Sequence, residues 1–467
     1  MQQVQLAGRP IGIREVLSAG LVLALLAFAL SSVEGWFDAL SWHDEQRVRQ
    51  LGLLVVAGSL LLIRGQIGLP IPAFVMLALL LVLGLVSALL ADWPLWALKE
   101  WSRYVGLVTL ALLFALFARA RWVFLCVVGL LAFIGCIHAF QFVAYYLSAF
   151  ISGIQMLDAG LLFNGFVNPR FLGQFQLLLM PILGALVLLL HDKKPLLAAV
   201  LFIVLALHWC IAMILGGRGL WLGLLVSTLP LLLLVRRYWP FLAVQLGAMI
   251  AGLFLLTVLM HFVPKWLGLE VHSYETLRGG LSGRERLWLW AWEMARAHPW
   301  LGVGPMHYSA VYNPIAAHPH QVVLQWLAEW GVPATLLGLL LGAWGMLIGF
   351  TRLRQGPTDY LVAALWVAIA GALVLAQVDG VFVMPYTETW LAVLVGLAIA
   401  RCGRGEFAPV KQRFFFTTLA IVIVPIMVHV LVNEVPTLAR DSEVYMAKHQ
   451  TGWTPRFWLQ GWIPMDE

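Results

Sequence analysis

The chain has 467 residues, of which 62% are apolar and 11% charged, with a mean hydropathy of +0.91 and a formal net charge of +6. Apolar runs of about 18 residues or more recur throughout, which excludes collagenous, disordered and disulfide-stapled secreted chains and points to a polytopic membrane protein. The basic residues lie in short clusters between these runs, where charge sets membrane orientation, so the positive balance implies membrane lipids and no nucleic acid as partner.

Taken in chain order, the predicted spans are 16–33, 51–63, 71–90, 104–118, 122–149, 171–190, 196–215, 220–235, 241–263, 332–350, 360–377, 389–400 and 414–432. That makes thirteen, or twelve if a short one such as 51–63 or 389–400 fails to cross a hydrocarbon core of about 30 Å. Arg9 and Arg14 precede the first run without a small-residue cleavage site after it, so the run reads as a retained helix. With the N-terminus inside, the inner segments hold fifteen of the 29 Lys and Arg residues, among them Lys193, Lys194, Arg236, Arg237, Arg352, Arg354 and Lys411, whereas the short outer loops hold six. This bias supports the alternation and places the tail outside. The expected fold class is therefore all-α, with 12–13 transmembrane helices and one long periplasmic loop. Its organisation would be an N-terminal bundle over 1–263, a loop over 264–320, a C-terminal bundle over 321–432 and a tail over 433–467. Cys126, Cys136, Cys210 and Cys402 stand singly, which suggests neither a disulfide framework nor a thiolate metal site.

The outer basic residues need an explanation. Arg170 and Arg218 lie at the mouths of apolar helices, where a charge is costly unless it is paired, hydrated or facing a cavity; Arg278, Arg284, Arg286 and Arg296 share the long loop with His298, His307, His318 and His320. Interfacial arginines reaching to headgroups are the ordinary alternative. Within the loop, Leu287, Trp290, Ala291 and Met294 recur at helical spacing, with Ser282 as cap and Pro299 as stop, giving an amphipathic helix expected to lie on the membrane surface. Arg284 in its first turn opposes the helix dipole, a conflict that a bound anion removes. His320 and Gln321 open a further helix ending near Gly331. His318 and His320 are two apart and lack a third ligand in register, which disfavours a zinc site; a capping or hydrogen-bonded histidine is the plain alternative.

Here the sequence resembles the O-antigen ligase superfamily of lipopolysaccharide ligases, O-antigen polymerases and bacterial protein O-oligosaccharyltransferases, over roughly residues 160–400. The family element is a His followed by Asn, Ser or Gln, nine residues, then Gly-x-x and a small residue; His320, Gln321, VVLQWLAEW and Gly331 to Ala334 fit it. SGRERLW followed by AHPWLGVGP resembles the family's loop-helix start and supplies Arg284. GGRGLWLGL resembles its Ser-Arg-Gly helix opening and supplies Arg218, with Gly217 replacing the usual Ser. Asp379, in QVDGVFVMPY, falls where the family tends to have an acid near a proline. FNGFVNPRFLGQFQ, residues 163–176, resembles an Asn-rich element of the protein-glycosylating branch, which favours a pilin-type or other protein acceptor over lipid A core. The extra domain that follows the last spans in some of those enzymes has no counterpart in the tail of some 35 residues after Val432, which includes WTPRFWLQGW.

The resemblance implies a C-type glycosyltransferase-like enzyme of the bacterial inner membrane. It would transfer a glycan, with inversion, from an undecaprenyl-diphosphate carrier to an acceptor hydroxyl at the periplasmic face. His320 would be the catalytic base, Arg218, Arg284 and Arg170 would bind the diphosphate, and Gln321, His318 and Asp379 would support them. No cofactor is implied, and no metal is required if the arginines neutralise the diphosphate, since the outer side has no carboxylate pair to hold one. Trp288, Trp290, Trp326 and Trp330 read as interfacial anchors, with sugar stacking as the alternative. A polymerase joining lipid-linked repeat units shares this chemistry and differs in acceptor. A transporter or flippase would also carry arginines facing a cavity, but calls for ionisable residues in mid-span and two related halves.

Overall fold

The structure, a computed structural model, describes residues 12–64, 68–272, 283–403, 409–450 and 452–464. Arg9, Arg278, the expected cap Ser282 and Arg404 fall outside the described residues. The first half contains α1 (Ile13–Ala29), α2 (Trp42–Arg64), α3 (Ile71–Leu89), α4 (Pro94–Phe117), α5 (Arg121–Ile151), α6 (Pro169–Leu190), α7 (Pro195–Leu215) and α8 (Arg218–Leu234). Then come α9 (Trp239–Thr257), α10 (Val263–Leu267), α11 (Arg284–Ala297), α12 (Val322–Gln355), α13 (Tyr360–Leu375), α14 (Pro385–Cys402), α15 (Val410–Asn433) and α16 (Leu438–His449). Two short strands, β1 (Met156–Asp158) and β2 (Glu270–His272), pair in parallel and tie the loop after α5 to the one after α10.

Each predicted span is helical. Among the described residues, ten helices are long and apolar enough to cross a membrane, and α8 and α13 are shorter apolar helices beside them. The chain is thus an all-α polytopic membrane protein. One apolar core runs through both halves, contributed by Leu110 and Phe114 of α4, Leu178 and Met180 of α6, Ala368 of α13 and Leu394 of α14. Three helices meet especially closely on it. A Cβ on Gly223 of α8 would stand 2.9 Å from the Gly371 carbonyl of α13 and 3.2 Å from the Leu177 side chain of α6. One turn further out, a Cβ on Gly219 would stand 2.5 Å from Leu375. The missing side chains let backbones approach as small residues do in membrane interfaces, and this brings the first turns of α6 and α8 together beside the end of α13.

The structure corrects the sequence reading at several points. Helices α2 and α4 start at Trp42 and Pro94, earlier by more than two helical turns than the apolar runs from 51 and 104 suggest. Their polar first turns stay helical inside the protein because Arg47, Glu100 and Arg103 are paired there. The stripe of α11 does not face lipid: Leu287 and Ala291 are fully buried against Tyr308, Ala316 and Ala328, and the opposite face carries the exposed Leu289 and Trp292. The tail is folded as well. After α16, Phe457, Trp458, Leu459, Gln460, Trp462 and Ile463 are buried, and the Ile463 amide donates to the Ser309 carbonyl of the long loop at 3.2 Å.

Candidate functional site

The spacing from His320 to Gly331 acquires a physical meaning in the fold. Gln321 caps α12: its side-chain oxygen accepts from the Leu324 amide at 2.5 Å, and its amide donates to Gln377 at 3.0 Å, while the Val322 amide donates to the Ala376 carbonyl. Nine residues later the helix breaks at Gly331, which has φ 77°. A Cβ there would stand 2.4 Å from the Trp300 carbonyl oxygen, so only glycine allows both the left-handed backbone and the close approach. The carbonyls freed at the break are taken up, since the Val303 amide donates to Ala328 at 2.8 Å and the Gly304 amide to Glu329 at 3.0 Å. Ala334, the small residue of the motif, is fully buried. The motif therefore encodes a short helix clamped at both ends, with His320 immediately before it.

His320 itself has φ 53°, an uncommon conformation for a residue with a side chain, and its amide donates to Nδ1 of His318 at 3.2 Å. His318 is 2% exposed and its ring centroid lies 4.0 Å from that of His320. It fills the space over Gly380, where a Cβ would come within 2.6 Å of its ring. Burial, then the neighbouring His320, Arg456 and Arg284, push His318 well below the usual imidazole range, so it stands as a neutral wedge holding the His320 turn. Nδ1 of His320 lies 3.8 Å from Oδ1 of Asp379. Burial raises the pKa of that acid, but the His320 ring, the Gly380 amide and Gln174 outweigh it and hold Asp379 below its ordinary range. The His320 and Asp379 side chains keep 26% and 22% of their exposure, so the pair is reachable from outside.

Three arginines lie each in the first turn of a helix, with Arg170 and Arg218 within electrostatic reach of Arg284, and Arg284 is also within reach of Asp379. Asn168 caps α6 by accepting from the Arg170 amide at 2.9 Å, Gly216 at φ 60° turns the chain into α8 at Arg218, and Gly283 at φ 78° turns it into α11 at Arg284. Burial lowers the Arg284 pKa, opposed by Asp379 and reinforced by the repulsion of Arg170 and Arg218. Arg170 and Arg218 are exposed and Arg284 is half-buried. Three guanidinium groups on three helix N-termini thus concentrate positive charge, each terminus favouring an anion by about 0.3–1 kcal/mol. One turn along α11 from Arg284, the Trp288 indole donates to the Pro319 carbonyl at 3.0 Å, which fixes the arginine helix to the histidine turn.

Residues 199–339 match the family model described as O-Antigen ligase. That stretch is similar to the O-antigen ligase family. The matched stretch holds Arg218, Arg284, His320, Gly331 and Ala334, while Arg170 and Asp379 lie on either side of it. No curated protein matches the chain. The match supports, in general terms, an O-antigen ligase or polymerase type of function.

Other expected members fall elsewhere. Arg286 and Arg296 are exposed on α11. His307 is buried and serves the backbone, its Nε2 accepting from the Trp93 amide at 2.9 Å. Trp330 is no interfacial anchor: it is fully buried, packs over Gly84 and stacks on Trp326 at 5.2 Å.

The sequence gives no sign of what lies beneath the site. Arg456 of the tail donates to Glu329 of α12 at 2.6 Å and to Glu100 of α4 at 3.3 Å. Arg103 bonds Glu100 at 2.6 Å and also pairs with Glu388 of α14, which Arg47 of α2 contacts at 2.5 Å. Every side chain in this network is at most 1% exposed. No motif announces it, because its partners lie up to 356 residues apart.

Proposed function

We propose that the protein transfers a glycan from an undecaprenyl-diphosphate-linked donor to an acceptor hydroxyl at the periplasmic face of the bacterial inner membrane. The carrying observation is that Arg284, which lies near both Arg170 and Arg218, also lies near Asp379 of the His320–Asp379 pair. His320 takes the proton of the acceptor hydroxyl as its oxygen attacks the anomeric carbon. The bond from that carbon to the diphosphate breaks on the opposite side, so the configuration inverts. Asp379 stabilises the imidazolium, and the negative charge growing on the diphosphate meets donors already in place, which favours the transition state over the ground state. The inside-positive charge bias supports the periplasmic assignment. The Asn-rich turn before α6 supports a protein acceptor, with lipid A core the ligase alternative and a second lipid-linked glycan the polymerase alternative.

The test is transfer by the purified protein in vesicles carrying the lipid-linked donor, offered a pilin-type protein, lipid A core and a second lipid-linked glycan in parallel. Mass analysis of each product identifies the acceptor, and failure with all three removes the proposal. Arginine neutralises the diphosphate here, so transfer is expected to continue in EDTA; loss in EDTA restored by magnesium or manganese would assign that task to a cation. Arg284→Lys is expected to lower kcat/KM about tenfold or more although the charge is kept, because a point ammonium lacks the planar fork that grips two phosphate oxygens. An unimpaired lysine variant would reduce Arg284 to surface charge.

A further inference from the structure

Gln174 lies one turn along α6 from Arg170, on the same face. Its side chain is 1% exposed, and neither Nε2 nor Oε1 has a hydrogen-bond partner among the described residues. A buried primary amide left unsatisfied is costly and calls for a use. The packing shows where it sits. Leu177, three residues further along α6, fills the notch between Gly223 and Gly371, and Gly173 faces Leu220 of α8. Gln174 is thereby carried to the level where α13 ends and the chain turns through Asp379. Its side chain reaches the Asp379 carboxylate and helps to hold that acid below its ordinary range, although neither amide atom makes a bond of full hydrogen-bond geometry. The next link is open too: His320 Nδ1 is buried and unpartnered, 3.8 Å from Asp379 Oδ1.

We infer that Gln174 is a positioning residue whose amide closes onto Asp379, and through it sets the tautomer of His320, when a substrate occupies the arginine cluster. Resting on the functional reading above, this assigns a residue to the same site. The closed chain runs from Gln174 Nε2–H to one Asp379 oxygen, and from His320 Nδ1–H to the other. Nε2 of His320 is then left unprotonated toward the acceptor hydroxyl. Substrate supplies the closing movement, because the anion bound at Arg170 draws on the same first turns of α6 that carry Gln174.

The experiment compares Gln174→Leu and Gln174→Glu with the parent and with His320→Ala, reading kcat, donor KM and the pH dependence of kcat in the vesicle transfer assay. Gln174→Leu is expected to lower kcat about tenfold, the weight of one hydrogen bond to a charged group, with donor KM unchanged within about twofold. Without its donor the carboxylate holds the proton of the His–Asp pair more strongly, so the acid limb of kcat moves to higher pH. Arg284 and His318 beside the pair, and Arg170 and Arg218 beside Arg284, are unaltered in both variants. Gln174→Glu keeps the size and replaces the donor by a second acid; it shifts the limb the same way and further, and provides the test if the leucine variant fails to fold. Unchanged kcat and limb, or a raised donor KM with the limb unmoved, overturns the inference. If His320→Ala is inert while the Gln174 variants match the parent, only the positioning role falls; if His320→Ala keeps full transfer, the functional reading falls with it.

Discussion

Replacing His320 with alanine should lower glycan transfer by about 10²–10⁴, the usual contribution of a positioned general base, while donor binding and membrane insertion persist. The expected size rests on how strongly the surroundings specify this one imidazole. A non-glycine residue in the left-handed region costs of order 1–3 kcal/mol and persists only where its neighbours over-determine it. Here they do. The His318 ring accepts the His320 amide, Gln321 closes the cap behind it, the Val322 amide is held by Ala376, and Trp288 holds Pro319. Strain kept in place by four separate contacts, at a ring facing Asp379, is what a site needs if its base must not wander. The measurement is turnover with saturating lipid-linked donor, together with donor retention by the inert variant. Unimpaired turnover would remove His320 from the chemistry.

What the sequence made legible and what it hid divide along a physical line. His320, Arg218 and Arg284 were legible because each lies in a stretch that resembles a family motif, and in the fold each lies beside a backbone requirement: a cap and a break with nine residues between them, a paired-glycine turn, a glycine before a helix. Arg170 was legible because a charge at the mouth of an apolar helix is expensive. Gln174 was not, since a neutral amide in an apolar run looks like a tolerated core residue until its lack of a partner is seen. The early starts of α2 and α4 were hidden for a related reason. Arg47, Glu100 and Arg103 interrupt hydrophobicity and so read as loop, although each is buried with its counter-charge. Pairing across hundreds of residues leaves no trace in periodicity. Nor did the tail look like part of the bundle, because Arg456, its anchor, acquires meaning only from Glu329 and Glu100.

Arg456→Met should destabilise the protein by about 3–5 kcal/mol, because it leaves the Glu329 carboxylate buried opposite an apolar chain, and an uncompensated buried charge costs that much. The network alternates arginine and glutamate in equal number, Arg47, Arg103 and Arg456 against Glu388, Glu100 and Glu329, so removing one cation unbalances the whole of it. Removing a pair does not. Arg456→Met combined with Glu329→Leu keeps two charges of each sign and should lose less than the sum of the single losses, by more than about 1 kcal/mol, as contacting residues do. Unfolding in detergent, followed for the parent, both single variants and the double, measures this directly, and strictly additive losses would show that the charges are not coupled. The same series bears on function. Glu329 belongs to the short helix that opens just after His320, and Arg456 fixes its inner end while Gln321 caps its outer end. Single variants should therefore lose transfer beyond their loss of folded protein, and the double variant, with its charge balance restored, should regain stability more fully than turnover, because the methionine and leucine that replace the ion pair pack against each other without fixing the helix in one position.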